Sequence, residues 1–198
     1  LTNLDGAGLE ATLAEASIAL STPVLLESLI TPLLHKIGEG WRRGSLRVAH
    51  EHMTTGVVRS LLGNLRKSGS VPSTAPELVV AAPAGQRHEL GALMVAVAAA
   101  SDGWKVTYLG ADLPAADIAA AARKRNARAV ALSIVHPVDD PGLPGEIELL
   151  GSALEDDTVL LAGGNGAGAY SAALAAAGGR IIDDIPTLRD ELQALRAP

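Results

Sequence analysis

The hydrophobic period of this chain changes once, and the change divides it in two. From Gly8 to about Lys67 the apolar residues recur at helical spacing. Beyond a polar, proline-punctuated stretch at 67–76, short β-prone runs at 78–82, 105–109, 129–135, 158–161 and 180–182 alternate with alanine-rich helical stretches. Alternation of this kind predicts a five-stranded parallel sheet wrapped by helices, because parallel neighbours need crossover connections that cover both faces. The expected domains are a helical part, residues 1–70, and an α/β part, residues 77–198, joined by the linker.

Breaker residues subdivide the first part. Thr22-Pro23 and Thr31-Pro32 each read as an N-cap followed by proline at the first helical position, where the missing N–H is harmless. They predict helices over about 7–20, 23–30 and 32–43. Gly44-Ser45 then reads as a terminating glycine and a new N-cap, opening a fourth helix over about 46–67. A four-helix bundle is the expected result. With no phenylalanine in the chain, both cores must be aliphatic, and the two tryptophans need individual explanations.

Charge and composition exclude several functions. A net charge of −6 has the wrong sign for direct phosphate contacts with nucleic acid. The absence of cysteine removes disulfides, thiolate metal sites and cysteine nucleophiles, and a cytoplasmic location is the default. The longest apolar run, 91–100, is about half of the roughly 20 residues that a membrane span needs. The opening Leu-Thr-Asn-Leu-Asp has neither an initiating methionine nor a basic n-region, so the chain is expected to be a piece of a longer protein.

In an open α/β sheet, ligands sit beyond the carboxyl ends of the strands. His88, in Gly85-Gln86-Arg87-His88-Glu89-Leu90-Gly91, falls in the loop after the first strand. Alone it reads as a surface histidine near a helix N-terminus. An imidazole there can also ligate a metal lying over the sheet edge, and Gly91 permits close approach. Ser133 ends the third strand, and Gly163-Gly164 follow the fourth, so a hydroxyl and bare backbone line a groove able to take a long ligand tail. Each is a weak signal singly, because glycine loops after strands are common turns.

In the helical part, Leu33, Leu34, Ile37 and Trp41 share a face, so Trp41 reads either as the end of a core stripe or as a pocket residue. The tight Gly-Ser turn brings the helix carrying Glu51 and His52 back beside it, which lets indole, carboxylate and imidazole converge. His50 and His52 lie about 200° apart around a helix and cannot share one metal. Ala92 stands where a zincin motif begun at His88-Glu89 would need histidine, and no Gly-Lys-Ser/Thr follows the Gly163 loop. His35 and His136 are read as structural.

Together these residues resemble cobalamin-binding modules built from a helical bundle followed by a flavodoxin-like, Rossmann-type domain. The lower-face signature of those modules is Asp-x-His-x-x-Gly, then Ser-x-Leu and Gly-Gly; His88, Gly91, Ser133 and Gly163-Gly164 match it. The pattern Trp-x9-Glu-His, matched by Trp41, Glu51 and His52, resembles that of the CarH-type light-sensing repressors of the MerR-like class. The resemblance covers essentially the whole chain, and its combination of motifs is specific where His-x-x-Gly alone is not. It implies adenosylcobalamin as cofactor, His88 as the lower axial ligand of cobalt, and a nucleotide tail threading past Ser133, Gly163 and Gly164. Trp41 would lie against the upper ligand, Glu51 would hydrogen-bond its ribose, and His52 would line the same pocket.

Three positions depart from the pattern. Gln86 stands where the signature is acidic, which leaves the histidine with a neutral amide or another group as its partner. Val135 replaces the leucine of Ser-x-Leu. Arg42 follows Trp41, where some light sensors carry a histidine that takes the upper cobalt position after photolysis.

The resemblance implies a sensory domain rather than an enzyme. Such regulators bind adenosylcobalamin in darkness as homotetramers, lose the adenosyl group in light, and bind operator DNA through a separate N-terminal domain, absent from this sequence. The alternatives are a corrinoid carrier for methyl transfer, where an acidic residue at 86 and an aliphatic cap would be expected, and a regulator of the same fold that has lost cobalamin or takes another tetrapyrrole.

Overall fold

A computed structural model describes residues 4–67 and 71–196, and the chain divides into two compact units at Ser68/Gly69. Residues 68–70, part of the expected linker, lie outside the described residues.

The first unit is helical. Helix α1 (Gly6–Ala19) starts at Asp5, whose carboxylate accepts the Gly8 N–H at 2.8 Å. Helix α2 (Thr22–Leu25) runs through a π turn, Leu26–Ile30, directly into α3 (Thr31–Arg42). The break expected at Thr31-Pro32 is therefore absent. Thr31 donates its N–H to Leu26 O, five residues back, and this wider turn relieves the i−4 register in which a proline ring clashes. Leu25, Leu26, Ile30 and Ile37 form the buried stripe of this continuous helix.

Helix α4 (Val48–Lys67) begins two residues later than expected. Ser45 does not cap it; its hydroxyl donates to Gly40 O at 3.0 Å and closes the end of α3 instead. The start of α4 is held by His50, whose Nδ1 accepts the Arg47 N–H at 3.2 Å, the return half of a capping box. Val58 and Leu62 bury the inner face of α4.

The second unit is a five-stranded, wholly parallel sheet in the order β2-β1-β3-β4-β5. Its strands are β1 (Glu77–Pro83), β2 (Lys105–Leu113), β3 (Ala129–Ser133), β4 (Val159–Gly163) and β5 (Arg180–Ile182). The helices are α5 (Leu90–Ser101), α6 (Ala115–Arg125), α7 (Leu143–Ala153), α8 (Ser171–Ala176) and α9 (Ile185–Arg196). Strands β1 and β3 are buried throughout, which explains their unbroken apolar sequences. Helix α5 packs against β1, β2, β3 and α9, while α6, α7 and α8 pack in sequence and build a second core with Val79, Val130, Leu132 and Leu160. Small residues let α5 lie close to the sheet: Ala92, Ala96, Ala98 and Ala99 are all buried.

This order is the flavodoxin-like doubly wound arrangement expected from the sequence, in which the chain reverses direction between β1 and β3. The crevice at that reversal is bounded by the loops after β1 and β3. Strand β3 ends at Ser133, earlier than expected: the Ile134 N–H still donates to Gly163 O of β4, but those of Val135 and His136 turn away to the Gln86 side chain.

Candidate cobalamin-binding site

The loop after β1 is fixed by three anchors. Gln86 is fully buried, and its Oε1 accepts the N–H groups of Val135 and His136 at 2.8 and 2.9 Å, while its Nε2 donates to Pro137 O at 2.9 Å. These bonds draw residues 135–137 out of the sheet. Asp112, in β2, accepts the Gly85 N–H at 2.8 Å through Oδ1 and donates its own N–H to Gln86 O. At the far end of the loop, Tyr108 donates its hydroxyl to Glu89 at 2.7 Å.

His88 stands exposed between these anchors, at the carboxyl edge of the sheet and just ahead of α5. The departure at position 86 thus has a structural role: Gln86 is committed to the β3 loop rather than to the His88 ring. Another imidazole faces His88 instead. The rings of His88 and His136 meet edge to face with centroids 6.1 Å apart.

Ser133 and Gly91 form the floor of the groove. Ser133 is 3% exposed, and its Oγ has no hydrogen-bond partner among the described residues. A buried hydroxyl in that state requires an explanation, and a ligand group reaching it supplies one. Any Cβ at position 91 would overlap this oxygen, so the start of α5 must be glycine for the hydroxyl to stay in the groove. Ser133 pairs in register with Gly163. Gly164 has φ +99°, and a side chain there would strike Ile134 O. Bare backbone therefore lines the groove from β3 to β4.

Tyr170 closes the outer end of the β3 loop, its hydroxyl accepting the Asp140 N–H at 2.9 Å and donating to Pro137 O at 3.3 Å. Four groups expected to bind one ligand, His88, Gly91, Ser133 and Gly163-Gly164, are thus gathered at one sheet edge. His136 is a correction: read as structural, it lies at the same edge against His88. Its place three residues past Ser133, in the loop after a strand next to β1, was the available signal.

In the helical unit, Glu51 and His52 are joined by a 2.8 Å contact between Oε2 and Nδ1, and Thr55 donates to Glu51 Oε1 at 3.0 Å. Both carboxylate oxygens are thereby oriented. Trp41, in the last turn of α3, is 53% exposed, although the stripe below it ends in buried Ile37. Trp41 is therefore not the end of the core stripe.

A doubly wound parallel sheet with a polar-floored groove at its switch point, preceded by a helical unit, defines a ligand-binding module. The chain belongs to the B12-binding domain family: models described as "B12 binding domain" match residues 76–194 and 1–66. It is 31% identical over 132 residues to the HTH-type transcriptional repressor CarA of Myxococcus xanthus, covering 67% of this chain and 44% of that protein. It is 29% identical over 137 residues to dimethylamine corrinoid protein 3 of Methanosarcina mazei, covering 66% of this chain and 81% of that one.

The Methanosarcina barkeri monomethylamine corrinoid protein shares the fold, with a TM-score of 0.73 at 15% identity over 98% of this chain and 93% of the other. The chain spans less than half the length of the repressors it matches. No helix among the described residues is long and apolar enough to cross a membrane. The exposed imidazole, the unpartnered buried hydroxyl and the bare-backbone groove fit a corrinoid with a long lower tail.

Proposed function

We propose that this chain is the sensory module of a cytoplasmic transcriptional regulator, and that it binds adenosylcobalamin in darkness and changes oligomeric state when light removes the adenosyl group. The observation that carries this reading is that the helical unit holds both an exposed Trp41 and an oriented Glu51–His52 couple. A carrier that passes a methyl group to a partner enzyme has no need of an indole and a fixed carboxylate for an adenosyl group. The similarity to a transcriptional repressor supports the same reading.

When bound, the cofactor supplies a cobalt–carbon bond that visible light breaks. His88 would hold the cobalt through its imidazole. Ser133, Gly91, Gly163 and Gly164 would accommodate the nucleotide tail, which would give the Ser133 hydroxyl a partner. Trp41, Glu51 and His52 bind the adenosyl group and report its loss, since a ligand shifts an equilibrium only through contacts that differ between the two states. The dark state is a homotetramer, and operator DNA is bound by a further domain of the full-length protein. No residue has a catalytic role.

A corrinoid carrier is the second reading, favoured by the similarity to the dimethylamine corrinoid protein over most of its length. The deciding experiment is the absorption spectrum and gel-filtration profile of the protein loaded with adenosylcobalamin in darkness, repeated after green illumination. A bound alkylcobalamin spectrum that converts together with a change in size supports the sensor. Conversion without a size change supports the carrier, and no binding refutes both.

A further inference from the structure

We propose that His136 is the residue that positions His88 for cobalt, in place of the residue two before the histidine. The inference rests on the reading of His88 as the lower ligand. A metal-bound histidine needs its ring orientation set by a neighbour, and loss of that neighbour ordinarily weakens metal binding. Residue 86 does not serve here, because the Gln86 oxygen already accepts two backbone N–H groups and its nitrogen donates to Pro137 O.

What Gln86 holds is the backbone of the β3 loop, including the His136 N–H at 2.9 Å. The effect of position 86 on His88 therefore passes through residue 136. The His136 ring meets His88 edge to face at 6.1 Å, and the π face and ring edge attract each other in that arrangement. His88 is exposed, and His136 is the ring that packs against it among the described residues. The contact is aromatic packing, and an aromatic replacement at 136 will preserve it.

The test uses protein labelled with 15N-histidine and loaded with cob(II)alamin, in which a histidine nitrogen on cobalt splits the electron paramagnetic resonance lines into doublets and a benzimidazole nitrogen gives triplets. His136→Ala is expected to weaken cobalamin binding about 10-fold and to lower the doublet fraction, and His136→Phe is expected to restore both. His136→Ala behaving as the parent protein, or His136→Phe failing as badly as His136→Ala, would overturn the positioning role. His88→Ala separates the two claims. Loss of the doublet in His88→Ala with no effect in His136→Ala sinks only the positioning role. A doublet that survives in His88→Ala sinks the ligand assignment itself, and its disappearance in the double variant would make His136 the ligand. Thermal melting of each apo-protein checks that the exposed substitutions leave the fold intact.

Discussion

Gly91 at the head of α5 and Ser133 at the end of β3 face each other so closely that a single added methyl group at 91 would overlap the serine hydroxyl oxygen. The hydroxyl is buried and unpartnered, so this gap is held open by the absence of a side chain. Gly91→Ala is therefore expected to displace Ser133 and cost about 1–3 kcal/mol in strain, with a clear loss of cobalamin affinity by titration. Adding Ser133→Ala removes the overlapping oxygen. The double variant should recover stability but not affinity, because the partner for the ligand tail is then missing.

His88→Ala removes the imidazole at the carboxyl edge of β1. Cobalamin should bind about 10 to 100 times more weakly, and the bound cofactor should show no histidine nitrogen on cobalt by absorption or paramagnetic resonance. An unchanged cobalt spectrum would remove His88 from its assigned role.

Trp41→Ala should leave cobalamin affinity within a few fold of the parent, because in the proposed reading the sheet unit would hold cobalt and the nucleotide tail. The change in gel-filtration size between dark and illuminated samples should be lost. A variant that still switches would show that the indole does not report the adenosyl group.

Gln86→Ala leaves the Val135 and His136 N–H groups without their acceptor. We expect a loss of about 2 kcal/mol by denaturant unfolding, together with weaker cobalamin binding as the β3 loop relaxes. Gln86→Glu keeps the acceptor and loses the donor to Pro137 O, so it should fall between the parent and the alanine variant.

Asp184 caps α9: its Oδ1 accepts the Thr187 N–H at 2.8 Å. Hydrogen bonding from the Thr187 side chain, then from its backbone, holds the carboxyl below the usual carboxylate range. A depressed carboxylate stabilises the folded state above its unfolded pKa, and the benefit fades as pH falls through the lower folded value. Asp184→Asn should therefore melt below the parent near pH 7, and the two melting curves should converge in strongly acidic solution.

The fold was legible because it is written in periodicity. The unbroken apolar strands β1 and β3, the alanine-rich helices between strands and the polar stretch near 67–76 each depend on residues close in sequence. The exceptions were local hydrogen-bond choices. Pro32 reads as a helix start, yet a π turn carried the helix through it. Ser45 had two helix ends within reach and bonded to the earlier one.

The site was legible as a set of residue types and only partly as an arrangement. His88, Gly91, Ser133 and the Gly163-Gly164 pair stand at strand ends, and a parallel sheet brings strand ends to one edge, so their gathering follows from the order of elements. Sequence alone thus determined the helical and α/β division, the strand-end positions of the candidate groups and the bare backbone of the groove.

The tertiary structure decided which side chain faces which. Gln86 and His136 are 50 residues apart in the chain, and their relationship exists only because β1 and β3 are neighbours. Whether a buried amide meets an imidazole ring or the backbone beside it is set by a few ångströms of loop geometry, and hydrophobic periodicity carries no information on that scale.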